Sequence, residues 1–137
     1  MKNMRLAADY VQRAEIRVEA LDVFFEAESW ADVVRESQEI VELALKGLLR
    51  EYGVAPPRVH DVSDVLLADR ERLPEELGDE DVERLVAVSR ELRRDRELAF
   101  YGAEDLTPSD FYSRTDAERA RQGARDTVAL VRPLVSD

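Results

Sequence analysis

The chain contains no cysteine and a single histidine, His60. The first absence excludes disulfides, thiolate metal sites and a cysteine nucleophile. The second excludes a multi-histidine zinc site and leaves His60 as the one source of imidazole chemistry. Glycine and proline are scarce, with five of each in 137 residues. Few windows alternate apolar with polar residues. Both facts point to an all-α protein rather than a sandwich or barrel. No apolar run approaches membrane-span length, and the N-terminal MKNMRLAADY lacks the apolar core of a signal peptide. The expectation is a cytoplasmic protein with no membrane partner. Lysine is also scarce: of 20 basic residues only Lys2 and Lys46 are lysines. A lone arginine therefore carries little information unless it stands in an unexpected place.

Apolar residues make up 45% of the chain, enough for a core, and the length fits a single domain over residues 1–137. The net charge of −11 keeps the protein soluble and repels phosphates, which argues against unaided, non-specific nucleic-acid binding. A local basic site stays compatible with that field. The carboxylates are too dispersed to select a metal site, and EELGDEDVE has no calcium-loop spacing. Neither a metal nor a cofactor is expected.

Apolar periodicity predicts four substantial helices and one short one. The first spans roughly Leu6 to Ala27. Its apolar face is Leu6, Tyr10, Ala14, Val18, Leu21 and Phe25. The second follows after a very short turn, as in an antiparallel hairpin. It carries a wide stripe from Trp30 to Tyr52, with Ser29 as a cap opposite Asp32 and Gly53 as the stop. A short third helix starts near His60 or Asp61, and the connection that follows is expected over one end of the bundle. The fourth spans roughly Asp79 to Tyr101, with acidic residues suited to the positive end of its dipole. Phe111 and Tyr112 are expected to pack back onto the core. The last helix starts near Thr115, read as a capping box with Glu118, and stops at Pro133.

The most basic stretch is SRELRRDRELAFYG, residues 89–102. Arg96 falls where the helical stripe asks for an apolar residue. Two readings stand: an arginine ion-paired in a core or subunit seam, or a phosphate contact, since the guanidinium fork suits phosphate oxygens. Arg90, Arg93 and Arg94 read as solvated surface, with Arg93 able to pair with Glu97. Arg94 lies seven residues before Tyr101 and shares its helix face, where a cation lowers a tyrosine's pKa. Tyr101 reads as a core or seam aromatic, or as a modifiable or ligand-binding group. It is a poor general base near neutral pH. His60 caps or packs the short helix, or pairs with Asp61 in a site. Lys46 lays its stem over the bundle, or reaches a phosphate.

Three segments resemble the HEPN family of small prokaryotic helical proteins. They are SQEIVELALKGLLREYG followed by a proline turn and His60-Asp61, the helix ending RELAFYG, and the closing DAERARQGARDTVALV. The resemblance spans about Tyr10 to Val131. It implies an up-and-down bundle of four to five helices, paired as a homodimer, here expected through helices two and four. It also implies a partner, a minimal nucleotidyltransferase, in a toxin–antitoxin-like pair. Active HEPN members are metal-independent RNases with a motif of Arg, four to six residues, then His, near the end of the fourth helix. In some pairs the nucleotidyltransferase silences the toxin by adding AMP to a nearby tyrosine.

This chain keeps the arginine, Arg96, but reads Tyr101, Gly102 and Ala103 where the histidine belongs. The expectation is therefore a HEPN component that binds nucleotide, RNA or its partner through a groove near the end of helix four. Arg94, Arg96, Lys46 and His60 are its candidate contacts and Tyr101 its modification site, without the usual His-dependent chemistry. The alternatives are an active RNase toxin using Arg96 and Tyr101, or a purely structural dimeric bundle.

Overall fold

The computed structural model describes the backbone of residues 2–56, 58, 61–101 and 108–136, and their side chains except at 2–4, 95–101 and 108. Among the described residues there are six α-helices, two 3₁₀ turns and no strand. The helices are α1 (Lys2–Glu26), α2 (Trp30–Glu51), α3 (Val62–Ala68), α4 (Asp79–Tyr101), α5 (Pro108–Phe111) and α6 (Arg114–Val131). The all-α bundle expected from periodicity is thus present, with one unexpected helical turn, α5, inside the loop after α4.

The core is built around α2, which packs against α1, α4 and α6. Its buried face runs from Val33 through Ile40, Leu45 and Leu48 to Leu49. Residues at every third and fourth position are apolar, so three neighbours can share one rod. Two glycines let the neighbours come close. A Cβ on Gly47 would lie 2.7 Å from Val11 Cγ2 and 3.1 Å from the Ala7 carbonyl oxygen of α1. One on Gly123 of α6 would lie 2.9 Å from Val88 Cγ1 of α4.

The hairpin turn between α1 and α2 is as short as expected. Ser29 N–H donates to the Phe24 carbonyl and Glu28 N–H to the Phe25 carbonyl. Glu28 sits at φ 58°. This is a Schellman ending with glutamate in the left-handed position that glycine normally takes. The same bonding ends α2, from Val54 N–H to Leu49 and from Gly53 N–H to Arg50, with Gly53 at φ 76°. The expected stop at Gly53 is there.

The helix starts show two differences. Ser29 occupies the cap position of α2, but its hydroxyl donates to the Asp32 carboxylate rather than accepting from the backbone. The last helix begins at Arg114, capped by Ser113 with Asp116 as its reciprocal partner. Thr115 and Glu118, the expected box, lie two residues further on. Both spacings satisfy the pattern, and the earlier one wins because it captures the first free N–H groups of a helix that is already formed there. Phe111 and Tyr112 do pack onto the core, edge to face at 5.0 Å.

Candidate functional site at the C-terminal half of α4

Side-chain pairs set the register around α4. Arg84 binds Asp126 at 2.9 Å, Val88 meets Gly123, and Arg119 binds Glu91 at 3.1 Å. As the numbers rise on α4 they fall on α6, so the two helices are antiparallel. Three residues past Glu91, Arg94 stands about level with the first turn of α6.

A second pair of contacts places α3. Arg70, in the 3₁₀ turn Arg70–Arg72, binds Asp79 at 3.1 Å and the Leu77 carbonyl at 2.7 Å. Arg90 donates to Ser63 Oγ at 3.1 Å and to the Asp64 carboxylate at 2.9 Å. The segment from α3 to the 3₁₀ turn therefore lies along α4 in the opposite sense. The connection that follows α3 is held by Arg70 at Asp79, the N-terminal end of α4. Asp61 caps α3 by accepting from Ser63 N–H at 2.9 Å, and the Asp61 end of α3 is directed toward the Arg94 half of α4.

These contacts separate the arginines of the basic stretch. Arg90, read as solvated surface, is exposed and also ties α4 to α3. Sequence could not show this, because its partners lie 26 and 27 positions away in the chain. Arg93 is half-buried and Arg94 is exposed. The helix continues unbroken to Tyr101. The side chains of Arg96 and Tyr101 lie outside the described residues, as does His60. The expected Arg93–Glu97 pair falls there too, at Glu97.

Lys46 is not brought to this place. Arg114, in the first turn of α6, lies 5.9 Å from the Trp30 ring at the start of α2. Arg94 is thus level with the beginning of α2, and the rise from Trp30 to Lys46 is roughly 24 Å. No lysine stem spans that distance. Lys46 belongs to the end of the bundle where Gly47 meets Val11.

The α4 half-site has a neighbour that sequence reading missed. Phe25 and Trp30 meet edge to face at 5.0 Å. Arg121 lies 3.8 Å and Arg114 5.3 Å from the Phe25 ring centre. Arg121 and Arg125 both bind Asp22 Oδ1, at 3.2 and 2.7 Å. Arg114 binds Glu118 at 3.1 Å. These arginines are engaged by rings and carboxylates of their own chain, so this cluster fastens α1, α2 and α6 together.

One tyrosine hydroxyl is well placed, and it is structural. Tyr52 donates to the Leu134 carbonyl at 2.8 Å, tying the end of α2 to the C-terminal turn. Burial pushes its pKa above the usual tyrosine value, and the charges of Glu51 and Glu76 push it further. Among the described residues no cluster of three or more acidic or histidine side chains could hold a metal ion. None of their helices is long and apolar enough to cross a membrane.

Comparison with curated proteins and with solved structures finds no match. The HEPN domain family model matches residues 7–134. That range takes in α2, α3, the whole of α4 and the α6 face packed on them, and the chain belongs to the HEPN domain family.

Proposed function

We propose that the protein is a nucleotide- or RNA-binding HEPN component of a toxin–antitoxin-like pair, working with a minimal nucleotidyltransferase through the C-terminal half of α4. Family membership supports the nucleotide- or RNA-related role. The observation that carries the location is the division of labour along α4. Arg90, itself exposed, is held by Ser63 and Asp64 of α3, whereas Arg94, one turn later, is exposed without an ion pair among the described residues, on a helix that continues to Tyr101. An exposed guanidinium on a rigid helix offers a planar fork to phosphate oxygens. Arg94 and Arg96 contact the phosphate, and Tyr101, on the Arg94 face, is the position open to nucleotidyl modification. The dimer that would enclose this groove belongs to the same proposal.

The chemistry available argues for binding over cleavage. A general base for RNA hydrolysis works best with a pKa near the working pH. The position five residues after Arg96 holds a tyrosine instead of an imidazole, and tyrosine's ordinary pKa is about 10. The acidic surface gives no long-range pull on RNA, so binding relies on the local arginines.

The test is an RNA-binding and RNA-cleavage assay on the wild type, Arg94→Ala and Arg96→Ala, with a mixed tRNA and mRNA pool in chelator. The expected result is weak, salt-sensitive RNA or nucleotide binding that each substitution reduces about tenfold, without cleavage. Cleavage that disappears in Arg96→Ala would instead establish an active RNase that works without the histidine. Equal binding by all three proteins would remove the site from α4.

A further inference from the structure

On the far side of the molecule from α3, α1 and α6 leave a face that the α4 site does not use. We propose that this face docks a basic amphipathic helix of a partner protein. The argument starts from α1. Two large apolar side chains project from it two turns apart on one face: Ile16 is 61% and Val23 67% exposed. They are the two most exposed large apolar residues among those described. Beside them, between α1 and α6, runs an open groove of about 520 Å3 whose apolar lining is Val18, Val128, Ala129 and Pro133. Solvent-facing apolar side chains beside an apolar groove are the pattern of a helix-in-groove receptor.

Charge identifies the occupant. The shoulder between the Ile16–Val23 ridge and the groove carries Glu19 and Glu26, seven residues apart and both exposed. Neither has an ion pair among the described residues. The other acids on this side are already matched: Glu15 binds Arg132 at 2.9 Å, and Asp22 holds Arg121 and Arg125. The groove's own arginines are therefore neutralised from within, and what remains on its edge is negative. A ligand helix with apolar residues toward Val128 and Pro133 and lysines or arginines toward Glu19 and Glu26 complements that edge. From Glu15 to Glu26 the face is roughly 16 Å long, about three helical turns.

A second copy of this chain fits less well. Of the described cations on this face Arg125 and Arg132 are already paired, and Arg5, exposed on the Ile16 line, lies roughly 16 Å before Ile16, so in a copy centred on Ile16 and Val23 it does not reach Glu19 or Glu26. Each chain also brings a net charge of −11. Arg13 lies on the opposite flank of α1, away from the groove.

The probe is a labelled 14-residue amphipathic helix of leucine and lysine, with a leucine–glutamate counterpart, measured by fluorescence anisotropy against the full chain. The lysine peptide is expected to bind, and the glutamate peptide to fail. Glu19→Lys with Glu26→Lys, and separately Ile16→Ser with Val23→Ser, are each expected to weaken binding about tenfold. Glu71→Lys with Glu75→Lys changes net charge equally on a distant loop, and is expected to weaken it less than about twofold because salt screens distant charges. Equal losses in the two charge-reversal variants would mean that binding follows net charge alone, and would overturn the proposal. Failure of the lysine peptide to bind would also overturn it. So would a self-association, seen in sedimentation, that vanishes in Ile16→Ser with Val23→Ser, which would give the face to a second copy. None of these outcomes depends on the α4 site.

Discussion

Helices α2 and α4 are nearly equal in length, 22 and 23 residues, and they lie side by side. They are nevertheless different objects. α2 packs against α1, α4 and α6, also touches α3 and α5, and buries side chains from Val33 to Leu49. α4 buries Val82, Leu85, Val86, Val88 and Leu92, and then a charged run from Arg93 to Glu97 interrupts the apolar pattern while the helix goes on. The first helix is defined by what it packs against. The second is packed from Val82 to Leu92, and that anchorage holds the exposed Arg94 on the same helix. The difference teaches that the helix with the strongest apolar pattern is the scaffold, and that the proposed site lies on a neighbour where charge interrupts that pattern.

The comparison is best broken at its strong side first. Leu48→Ala removes a fully buried side chain from the last turn of the scaffold helix, and is expected to cost about 2–5 kcal/mol in chemical denaturation. Gly47→Ala tests the close approach of α1. The added methyl meets the branched Val11 and a backbone carbonyl of Ala7, so overpacking of about 1–3 kcal/mol outweighs a helix-propensity gain of about 1 kcal/mol. A stabilised Gly47→Ala protein would mean that α1 yields easily.

Tyr52→Phe tests the latch at the end of the scaffold. Losing the bond to Leu134 is expected to cost about 1 kcal/mol. The raised pKa gives this latch a pH signature. The hydroxyl holds its proton more tightly in the folded state than in the unfolded chain, so its contribution is full below about pH 10 and is lost as pH rises through the folded value. Tyr52→Phe should flatten that alkaline decline in a series of melting curves.

The weakest expected stability effect is on α4. Arg90→Ala breaks an exposed ion pair to Asp64 and a bond to Ser63. It should cost no more than about 1 kcal/mol, while raising hydrogen exchange in α3. Arg94→Ala should leave the melting temperature unchanged. If Arg94→Ala destabilised the fold as much as Arg90→Ala, the two arginines would share one structural role and the contrast along α4 would fail.

Much of the fold was legible before any coordinates. The α2 stripe, the stop at Gly53, the span Asp79–Tyr101 and the inward face of Ala117, Ala120, Ala124, Val128 and Val131 are local patterns with a period near 3.6, and local patterns survive folding. The start of α6 was misplaced by one residue and its cap by two, because Ser113–Asp116 and Thr115–Glu118 both satisfy the same spacing. The site was legible only as a list. Nothing local distinguishes Arg90 from Arg94; their fates depend on whether a distant Asp64 arrives.

The sequence by itself determined that the protein is helical, where its long helices run, which faces turn inward, and that no thiol and only one imidazole serve any chemistry. It could do so because helix periodicity, caps and composition act over a few residues. Only the tertiary structure decided that α3 lies along α4, that Arg90 is consumed while Arg94 is left open, that Lys46 stands at the other end, and that Glu19 and Glu26 flank an open groove. Those outcomes depend on pairings between residues far apart in the chain, where many carboxylates compete for each arginine and geometry alone selects the partner.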